Sequence, residues 1–259
     1  MRIATYNVNG IKARIERLVD WLGRARPDVV CLQELKSEDA GVPRGPIEDL
    51  GYHLETHGQK GFNGVAILSR LPLSDVVRGL PGDPGDEQAR WIEATVEGPR
   101  VVRLACLYAP NGNPAPGPKY DYKLGWMARM EARAADLLRS EMPVVLAGDY
   151  NVIPADIDAA RPAAWVADAL ALAPSRAALR RIAHLGYGDA LRLRHPGPGL
   201  YTFWDYQAGA FARNDGIRID HLMLSPQAAD LLVDAGVDAA ERAAERPSDH
   251  VPVWIDLGG

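Results

Sequence analysis

Two apolar segments of the sequence end abruptly in polar side chains that are suited to form the walls of a catalytic site. The segment 144–147 is followed by Asp149 and Asn151, and a second apolar run ends at Tyr108. Side chains two positions apart in an extended backbone point to the same side, so Asp149 and Asn151 direct a carboxylate and an amide towards one point. For the Gly-Asp pair alone, an Asx turn that closes a strand is the simpler interpretation.

Polar residues recur where other predicted strands stop or start, namely at Asn7, Glu34, Asp249 and His250. A carboxylate at one strand end is ordinary, but polar groups at several such ends indicate a shared crevice. The donors are mostly oxygens and no cysteine is among them. This set suits Mg²⁺ or Mn²⁺ held by one or two carboxylates and a substrate phosphate, and it does not suit a closed zinc site.

Asp220 and His250 form a predicted pair. Asp220 shares an alternation face with Leu222 and Leu224, so it is expected to face inward and to need a partner. His250 is the natural partner, because a carboxylate that orients and charges an imidazole is a common catalytic device. We interpret the other histidines as structural: His53, His57, His184, His195 and His221.

The elements that must position these residues follow a mixed order. Strands are predicted over 2–8 and 28–32, with an amphipathic helix between them. Further strands are predicted at 52–56, 64–69, 74–77, 91–96, 101–108, around 144, 201–203, 217–224 and 251–255. Helices are predicted over about 120–140 and 177–184. This order favours mixed sheets with helices outside.

Composition limits the class of protein. With 259 residues and 47% apolar content, the chain is expected to form one domain over residues 1–259. No secretory signal or membrane span is visible, which predicts a cytoplasmic protein. Cys31 and Cys106 lie in apolar runs and are interpreted as reduced core thiols, with a disulfide or a metal pair as the alternative.

The net charge is compatible with an anionic substrate. A formal charge of -5 argues weakly against a protein that coats nucleic acid without specificity. Carboxylates that hold a metal ion would themselves supply part of this negative excess. The charge therefore does not exclude a phosphate substrate.

The sequence resembles the exonuclease III family of abasic-site DNA endonucleases, within the endonuclease/exonuclease/phosphatase superfamily. The matching stretches run in family order and are 4–10, 32–36, 64–69, 88–90, 107–112, 148–151, 201–206, 218–221 and 248–250. A single motif such as Gly-Asp-x-Asn carries little weight, but the ordered set covers essentially the whole chain. The resemblance implies an α/β fold, a four-layer sandwich of two mixed β-sheets packed face to face with helices on the outside.

The resemblance also implies a metal site. Glu34 would be a principal ligand of Mg²⁺, for which Mn²⁺ could substitute. The other residues expected near the metal, directly or through water, are Asn7, Asp149, Asn151 and Asp249.

Catalytic roles follow from the same resemblance. Tyr108 would hold the scissile phosphate, and Asn151 would help to bind that phosphate and the attacking water. Asp149 would orient or deprotonate the water, and the Asp220–His250 pair would stabilise the pentacovalent phosphorus. The general base is either Asp149 or His250. A phosphodiester is anionic and resists attack, so a cation, hydrogen-bond donors and one base are the required parts.

Substrate recognition is predicted at two places. Phe203 and Trp204 match the wall of an apolar slot for an extruded abasic sugar, although aromatic residues in a strand are more often core. At Ile217 this chain departs from the Trp common in the family, which puts the tightness of the slot in question. Arg90, Lys119 and Lys123 could contact the DNA backbone, and Lys119 best matches a phosphate-contacting lysine of the family.

A further group of cations, Arg176, Arg180 and Arg181, is either a second DNA contact or a solvated helix face. Taken together, these features predict a monomeric metal-dependent enzyme that cuts duplex DNA 5′ to abasic sites and trims 3′ ends, including blocked ones. The alternatives are a phosphoesterase of the same superfamily that acts on inositol phosphates, lipid headgroups or RNA, and a non-catalytic binding protein on a degenerate fold.

Overall fold

The structure is a computed structural model that describes residues 1–258. The strands are β1 (Arg2–Asn7), β2 (Val29–Gln33), β3 (His53–His57), β4 (Val65–Ser69), β5 (Leu73–Arg78), β6 (Trp91–Val96), β7 (Val102–Tyr108), β8 (Val144–Asp149), β9 (Gly188–Asp189), β10 (Asp220–Leu224), β11 (Leu232–Val237) and β12 (Val253–Leu257). The helices are α1 (Ile11–Ala25), α2 (Gly45–Glu48), α3 (Pro118–Leu138), α4 (Ala173–His184), α5 (Ala190–Arg194) and α6 (Pro226–Ala229).

The strands form two six-stranded sheets with the orders β11-β12-β1-β2-β4-β3 and β5-β6-β7-β8-β10-β9. Each sheet has a central parallel pair, β1 with β2 and β7 with β8, between antiparallel neighbours. The helices α1 and α3 connect the members of these pairs. Because the carboxyl ends of parallel strands meet at one edge of a sheet, both crossovers deliver the residues that follow their strands to a common edge.

The core occupies three interfaces. The largest lies between the two sheets, where residues such as Ile67 and Leu104 are fully buried. The outer faces of the sheets are covered by α1 and α2 on one side and by α3 and α4 on the other. This arrangement is the predicted four-layer sandwich. Cys31 and Cys106 are free thiols buried in the inter-sheet core, as the sequence predicted.

Several predicted elements differ from the observed ones. The segment 201–203 is not a strand, since Phe203 makes only isolated bridges to Ile217 and His250. The strand predicted over 217–224 begins at Asp220, because the preceding residues pair with loop segments. The strand β11 was missed, since its sequence mixes charged and small residues without clear alternation. No helix within residues 1–258 is long and apolar enough to cross a membrane.

Candidate active site

The candidate site lies where strand ends from both sheets meet. Asn7 is the last residue of β1, Tyr108 ends β7 and Asp149 ends β8. Asp220 begins β10, which runs antiparallel to β8 and pairs Asp220 with Asp149. Gly148 permits this packing, because a Cβ atom at that position would lie 1.9 Å from the carbonyl oxygen of Leu107 in the neighbouring strand.

Direct hydrogen bonds connect the two sheets at the centre of the site. The amide of Asn7 donates to Glu34 Oε1 at 3.1 Å and to Asp149 Oδ2 at 3.0 Å. The hydroxyl of Tyr108 donates to Glu34 Oε1 at 2.8 Å. Glu34 adopts a left-handed backbone conformation with φ 53. A left-handed backbone is uncommon for a residue other than glycine, and such conformations cluster at functional sites.

Asp149 and Asn151 form the Asx turn that was the simpler interpretation of the sequence. The backbone amide of Asn151 donates to Asp149 Oδ1 at 2.8 Å, and its side-chain amide donates to the carbonyl of Ala109 at 2.9 Å. The turn is part of the site, because the other Asp149 oxygen accepts the hydrogen bond from Asn7. Asn151 has a φ of 49, which asparagine tolerates better than most residues.

His250 and Asp220 are paired as predicted. His250 Nδ1 lies 2.9 Å from Asp220 Oδ2, and Nε2 lies 3.7 Å from Asp149 Oδ2. The hydroxyl of Thr202 donates to the same Asp220 oxygen at 2.6 Å, which fixes the orientation of the carboxylate. The edge of the Phe203 ring packs against the imidazole, with the ring centroids 5.0 Å apart.

The electrostatic environment differs between the acidic groups of the site. Burial raises the pKa of Asp149 to about 7; the charge on His250 opposes this shift and that on Asp220 adds to it. Burial alone would also raise the pKa of Glu34, but the Lys36 ammonium, whose Nζ lies 2.9 Å from Glu34 Oε2, holds that pKa below its usual range. The two carboxylates are therefore tuned in opposite directions.

Two proton donors face these carboxylates. Burial would lower the pKa of His250, but the negative charges of Asp220 and Asp149 outweigh burial and raise it to about 10. Burial, together with the charges of Glu34 and Asp149, raises the pKa of Tyr108 well above its usual value. Near neutral pH the imidazole is therefore a cation and the Tyr108 hydroxyl keeps its proton.

The donor set fits a divalent cation. One ligand atom each from Glu34, Asp149 and His250 lie within 4.8 Å of one another. Asp220 Oδ1 is buried and has no hydrogen-bond partner, so the cluster has unsatisfied acceptor capacity. The carboxylate oxygens of Glu34 and Asp149 match the preference of Mg²⁺ and Mn²⁺, whereas a cationic His250 would not be a ligand. Asp249 lies further out, where Asn9 Nδ2 donates to its Oδ1 at 2.9 Å.

The sequence model of the Endonuclease/Exonuclease/phosphatase family matches residues 4–250. The chain belongs to this family. It is 32% identical over 266 residues to exodeoxyribonuclease III of Haemophilus influenzae, covering 99% of this chain and 100% of that protein. The fold is similar to that of an AP endonuclease from Archaeoglobus fulgidus, with a TM-score of 0.94, 36% identity and 99% of both chains covered. It is also similar to a 3′ phosphatase from Neisseria bound to product DNA hairpin, with a TM-score of 0.95, 38% identity and all of both chains covered.

These similarities confirm the family inferred from the motifs and the α/β sandwich. The enzyme is a hydrolase of the exonuclease III type, and its relatives are nucleases of DNA repair. The similarities do not test the individual site residues. The roles of those residues stay predictions that rest on the geometry of this chain.

Within this family member, the predicted sugar-slot residues separate into two environments. Phe203 and Ile217 line a cavity of about 250 Å³ whose other lining residues include Arg161 and Asp215, and Phe203 connects it to the site by packing against His250. Trp204 does not line this cavity, and its ring packs edge-on against Tyr201 and Phe211 in a separate buried cluster. The structure therefore places Trp204 in the core behind the slot, which corrects its predicted position at the wall.

The predicted cationic contacts also separate. Arg90 and Lys119 line a larger groove of about 550 Å³, and the Arg90 guanidinium lies 4.8 Å above the centre of the Tyr108 ring. Arg176 binds Asp156, with 2.9 Å between nitrogen and oxygen, and Arg181 binds Glu131 at 2.6 Å. These two arginines are thus ion-paired on the protein surface, which favours the solvated-face interpretation.

Some residues of the site had no assigned role at the sequence level. Asn9, Lys36 and Thr202 lie inside or beside the family motifs, and that position was the available signal. Lys123 is different, because the sequence made it a candidate contact of the DNA backbone. The structure corrects this prediction, since Lys123 lies four residues before Met127 on the buried stripe of α3 and is itself 0% exposed. A lysine in an apolar helical stripe was the signal that could have identified it.

Proposed function

We propose that this enzyme hydrolyses the phosphodiester on the 5′ side of abasic sites in duplex DNA and trims 3′ ends. One observation carries the proposal. The cavity lined by Phe203 and Ile217 adjoins the site through Phe203, whose ring centroid lies 5.0 Å from that of His250. We infer that a sugar in this cavity would have its phosphate on the His250 side, towards Asp149. An abasic sugar is the nucleotide that leaves the helix at the lowest cost, because no base has to be unstacked.

Mg²⁺, with Mn²⁺ as a substitute, is the proposed cofactor. Glu34 and Asp149 would hold it, with Asn7, Asn151 and Asp249 in support. When bound, such an ion neutralises charge on a phosphoryl oxygen and lowers the pKa of water. Other side chains of the site have roles that do not require the ion. Asn7 and Asn151 each place a side-chain amide beside Asp149 and so fix the orientation of that carboxylate.

The proton transfers can be assigned to this chain's own residues. Asp149 is suited to accept a proton from the attacking water, because Asn7 and the Asn151 backbone hold its carboxylate in place at the centre of the site, which supports it as the general base. His250 stays cationic because Asp220 holds Nδ1, so it is suited to donate a hydrogen bond to the phosphoryl oxygen as negative charge develops. The Tyr108 hydroxyl is a second donor to the phosphate.

The remaining parts of the proposal concern the DNA contacts, the domain organisation, the oligomeric state and the location of the enzyme. Arg90 and Lys119 would contact the phosphate backbone of the strand that lies in the 550 Å³ groove. We further propose that residues 1–259 act as one catalytic domain and that the enzyme is a monomer acting on DNA in the cytoplasm.

The decisive experiment uses a duplex with a single abasic analogue and a matched undamaged duplex. Incision 5′ to the analogue is expected with added Mg²⁺ or Mn²⁺, together with trimming of recessed 3′ ends, and neither with chelator. A panel of inositol phosphates, lipid phosphoesters and RNA serves as comparison. Faster hydrolysis of a panel member than of the abasic duplex would overturn the proposed substrate.

The slot is tested by comparing two adjacent aromatic residues. Phe203→Ala should lower abasic incision about tenfold to a hundredfold more than it lowers hydrolysis of a small activated phosphodiester, because only the DNA substrate uses the slot. Trp204→Ala should lower the melting temperature and affect both substrates alike, since its ring is core. Equal losses on both substrates for Phe203→Ala would remove the slot from the mechanism.

A further inference from the structure

Lys123 carries a buried amino group next to the site that the catalytic proposal does not use, and burial lowers its pKa to about 7. It lies on α3, is 0% exposed, and has no carboxylate within ion-pairing distance in the part of the chain described here. Lysine is rarely buried without a charged partner, because removing an ammonium group from water is costly. Its retention therefore requires a specific set of hydrogen bonds.

Three carbonyl oxygens supply those bonds. Lys123 Nζ donates to Asn151 at 2.5 Å, to Asn111 at 3.0 Å and to Ala169 at 3.4 Å. Each carbonyl belongs to a different loop: the one after β7, the one after β8 and the one before α4. In its charged form the amino group has three donors, so one side chain satisfies all of them by joining three loops.

The loops joined in this way carry the amides of the site. Asn111 Nδ2 donates to Asn151 Oδ1 at 3.2 Å, and the Asn111 oxygen in turn accepts from Asn113 Nδ2 at 2.9 Å. Asn151 therefore has its main chain held by Lys123 and its side-chain oxygen held by Asn111. The backbone amide of Asn151 is also the group that orients Asp149.

Gly112 leaves the space through which the lysine passes. It has a φ of 90, and a Cβ atom built on it would lie 2.6 Å from Lys123 Cδ. A side chain at this position would have to displace the lysine stem or the loop. The glycine in the loop and the lysine on the helix thus fit each other across the chain.

We propose that Lys123 is a positioning residue for the hydrolytic reaction, which acts by fixing the Asn111–Asn151 amide pair behind Asp149. The inference rests on the proposed function only in the identity of the site, since any phosphodiester hydrolysed there would need the same alignment. Groups that orient the immediate ligands of a reacting centre typically contribute tenfold to a hundredfold to activity.

The test compares Lys123→Met with wild type at a temperature well below both melting temperatures. We expect kcat to fall about tenfold to a hundredfold on the abasic duplex and on a small activated phosphodiester, with KM for DNA changed less than about threefold. Gly125→Ala is the control on the same helix, because an added Cβ there meets no atom within 4 Å. A purely structural lysine would lower the melting temperature and leave kcat at the wild-type value, which would overturn the proposal.

Two further variants keep the proposal testable. Gly112→Ala retains the ammonium but displaces its stem, so it should lower kcat in the same way even if Lys123→Met fails to fold. The losses for Lys123→Met and Asn111→Ala should not multiply in the double variant, because both act through Asn151. Independent losses, or unchanged kcat in Gly112→Ala, would overturn the proposal. If wild type cleaves only the small phosphodiester, the DNA substrate is wrong, and the variants on that small substrate still decide the role of Lys123.

Discussion

Two buried charged clusters lie on opposite faces of β10 in this enzyme, and they differ in charge balance. The site cluster contains Glu34, Asp149, Asp220 and His250. The second cluster, which we call the Arg218 cluster, consists of Asp158, Asp189, Arg192, Arg218 and His221. Asp220 and His221 are neighbours in sequence, yet the first faces the site and the second faces the Arg218 cluster, because side chains of a strand alternate.

The Arg218 cluster is electrically balanced. Two carboxylates meet two guanidinium groups, and Arg218 Nε lies 2.7 Å from Asp158 Oδ1 while Nη1 lies 2.6 Å from Asp189 Oδ2. Burial alone would raise the pKa of Asp158, but Arg218 and Arg192 outweigh it and hold that pKa below its usual range. Such a cluster needs no ligand.

The site cluster has an excess of negative charge. Each cluster contains one buried polar atom without a hydrogen-bond partner, Asp220 Oδ1 in the site and Arg192 Nε in the Arg218 cluster, so charge balance is the property that separates them. In this cluster the effect of burial prevails over that of the neighbouring cation, so the pKa of Asp149 is raised. The difference teaches that buried charges alone do not mark a catalytic site. An unbalanced buried cluster does, because it is stable in the folded protein only with a bound cation or with protons.

The largest expected effect is the loss of activity in Glu34→Gln, which keeps the shape of the side chain and removes its charge. We expect kcat to fall at least about a thousandfold, because the cation loses a principal ligand. The free energy of unfolding should change by less than about 1 kcal/mol, since the Glu34–Lys36 ion pair is partly exposed to solvent and such pairs contribute little. Steady-state kinetics at saturating Mg²⁺ and thermal melts measure both; near wild-type turnover would remove Glu34 from the metal site.

Arg218→Met is expected to have the converse effect of Glu34→Gln, with a large loss of stability and little loss of turnover. Removing one partner from the balanced cluster leaves Asp158 and Asp189 undercompensated, which should cost about 3–5 kcal/mol of stability. For a chain of this length, the melting temperature should fall by roughly 6–20 °C. Turnover measured well below that temperature should stay within a few-fold of wild type. A large loss of turnover with unchanged melting would mean that the two clusters are not separate in function.

Metal binding should stabilise the protein through the site cluster only. At a Mg²⁺ concentration about a hundredfold above Kd, binding to the folded state contributes about 2.7 kcal/mol, a rise of roughly 5–11 °C in melting temperature. Glu34→Gln should lose most of this rise, and Arg218→Met should retain it. Melts with chelator and with Mg²⁺ provide the measurement. An equal rise in Glu34→Gln would place the metal elsewhere.

The smallest expected effect is the pH dependence of the metal-free protein. The folded-state pKa of Asp149 lies above its unfolded value, so the folded state binds more protons between about pH 4 and about pH 7. This group therefore lowers stability as pH rises through that window, whereas Asp158, with a lowered pKa, adds stability above about pH 4.

The stability of wild type relative to Asp149→Asn should therefore decrease as pH rises through this window. Relative to Asp158→Asn, wild-type stability should instead decrease as pH falls below about 4. Denaturant titrations across pH measure both slopes. The same direction for the two carboxylates would contradict the distinction between an unbalanced and a balanced cluster.

The sequence by itself determined the candidate site, because its members lie at the ends of strongly apolar strands. The polar residues Asn7, Glu34, Asp149 and His250 were recognisable for this reason, and the structure brings them together. The fold class was equally accessible. Alternating apolar runs specify strands locally, and the ordered motifs specify which family arrangement those strands adopt.

Only the tertiary structure decided matters that depend on contacts distant in sequence. Phe203 and Trp204 are adjacent aromatic residues, and nothing local separates the one at the cavity from the one in the core. The loop that carries them has no regular alternation, so its side-chain directions follow from hydrogen bonds to Ile217 and Asp249. Lys123 likewise gained its partners from three separate loops. A pattern in sequence records periodicity within one element, whereas charge balance and burial arise only when several elements pack together.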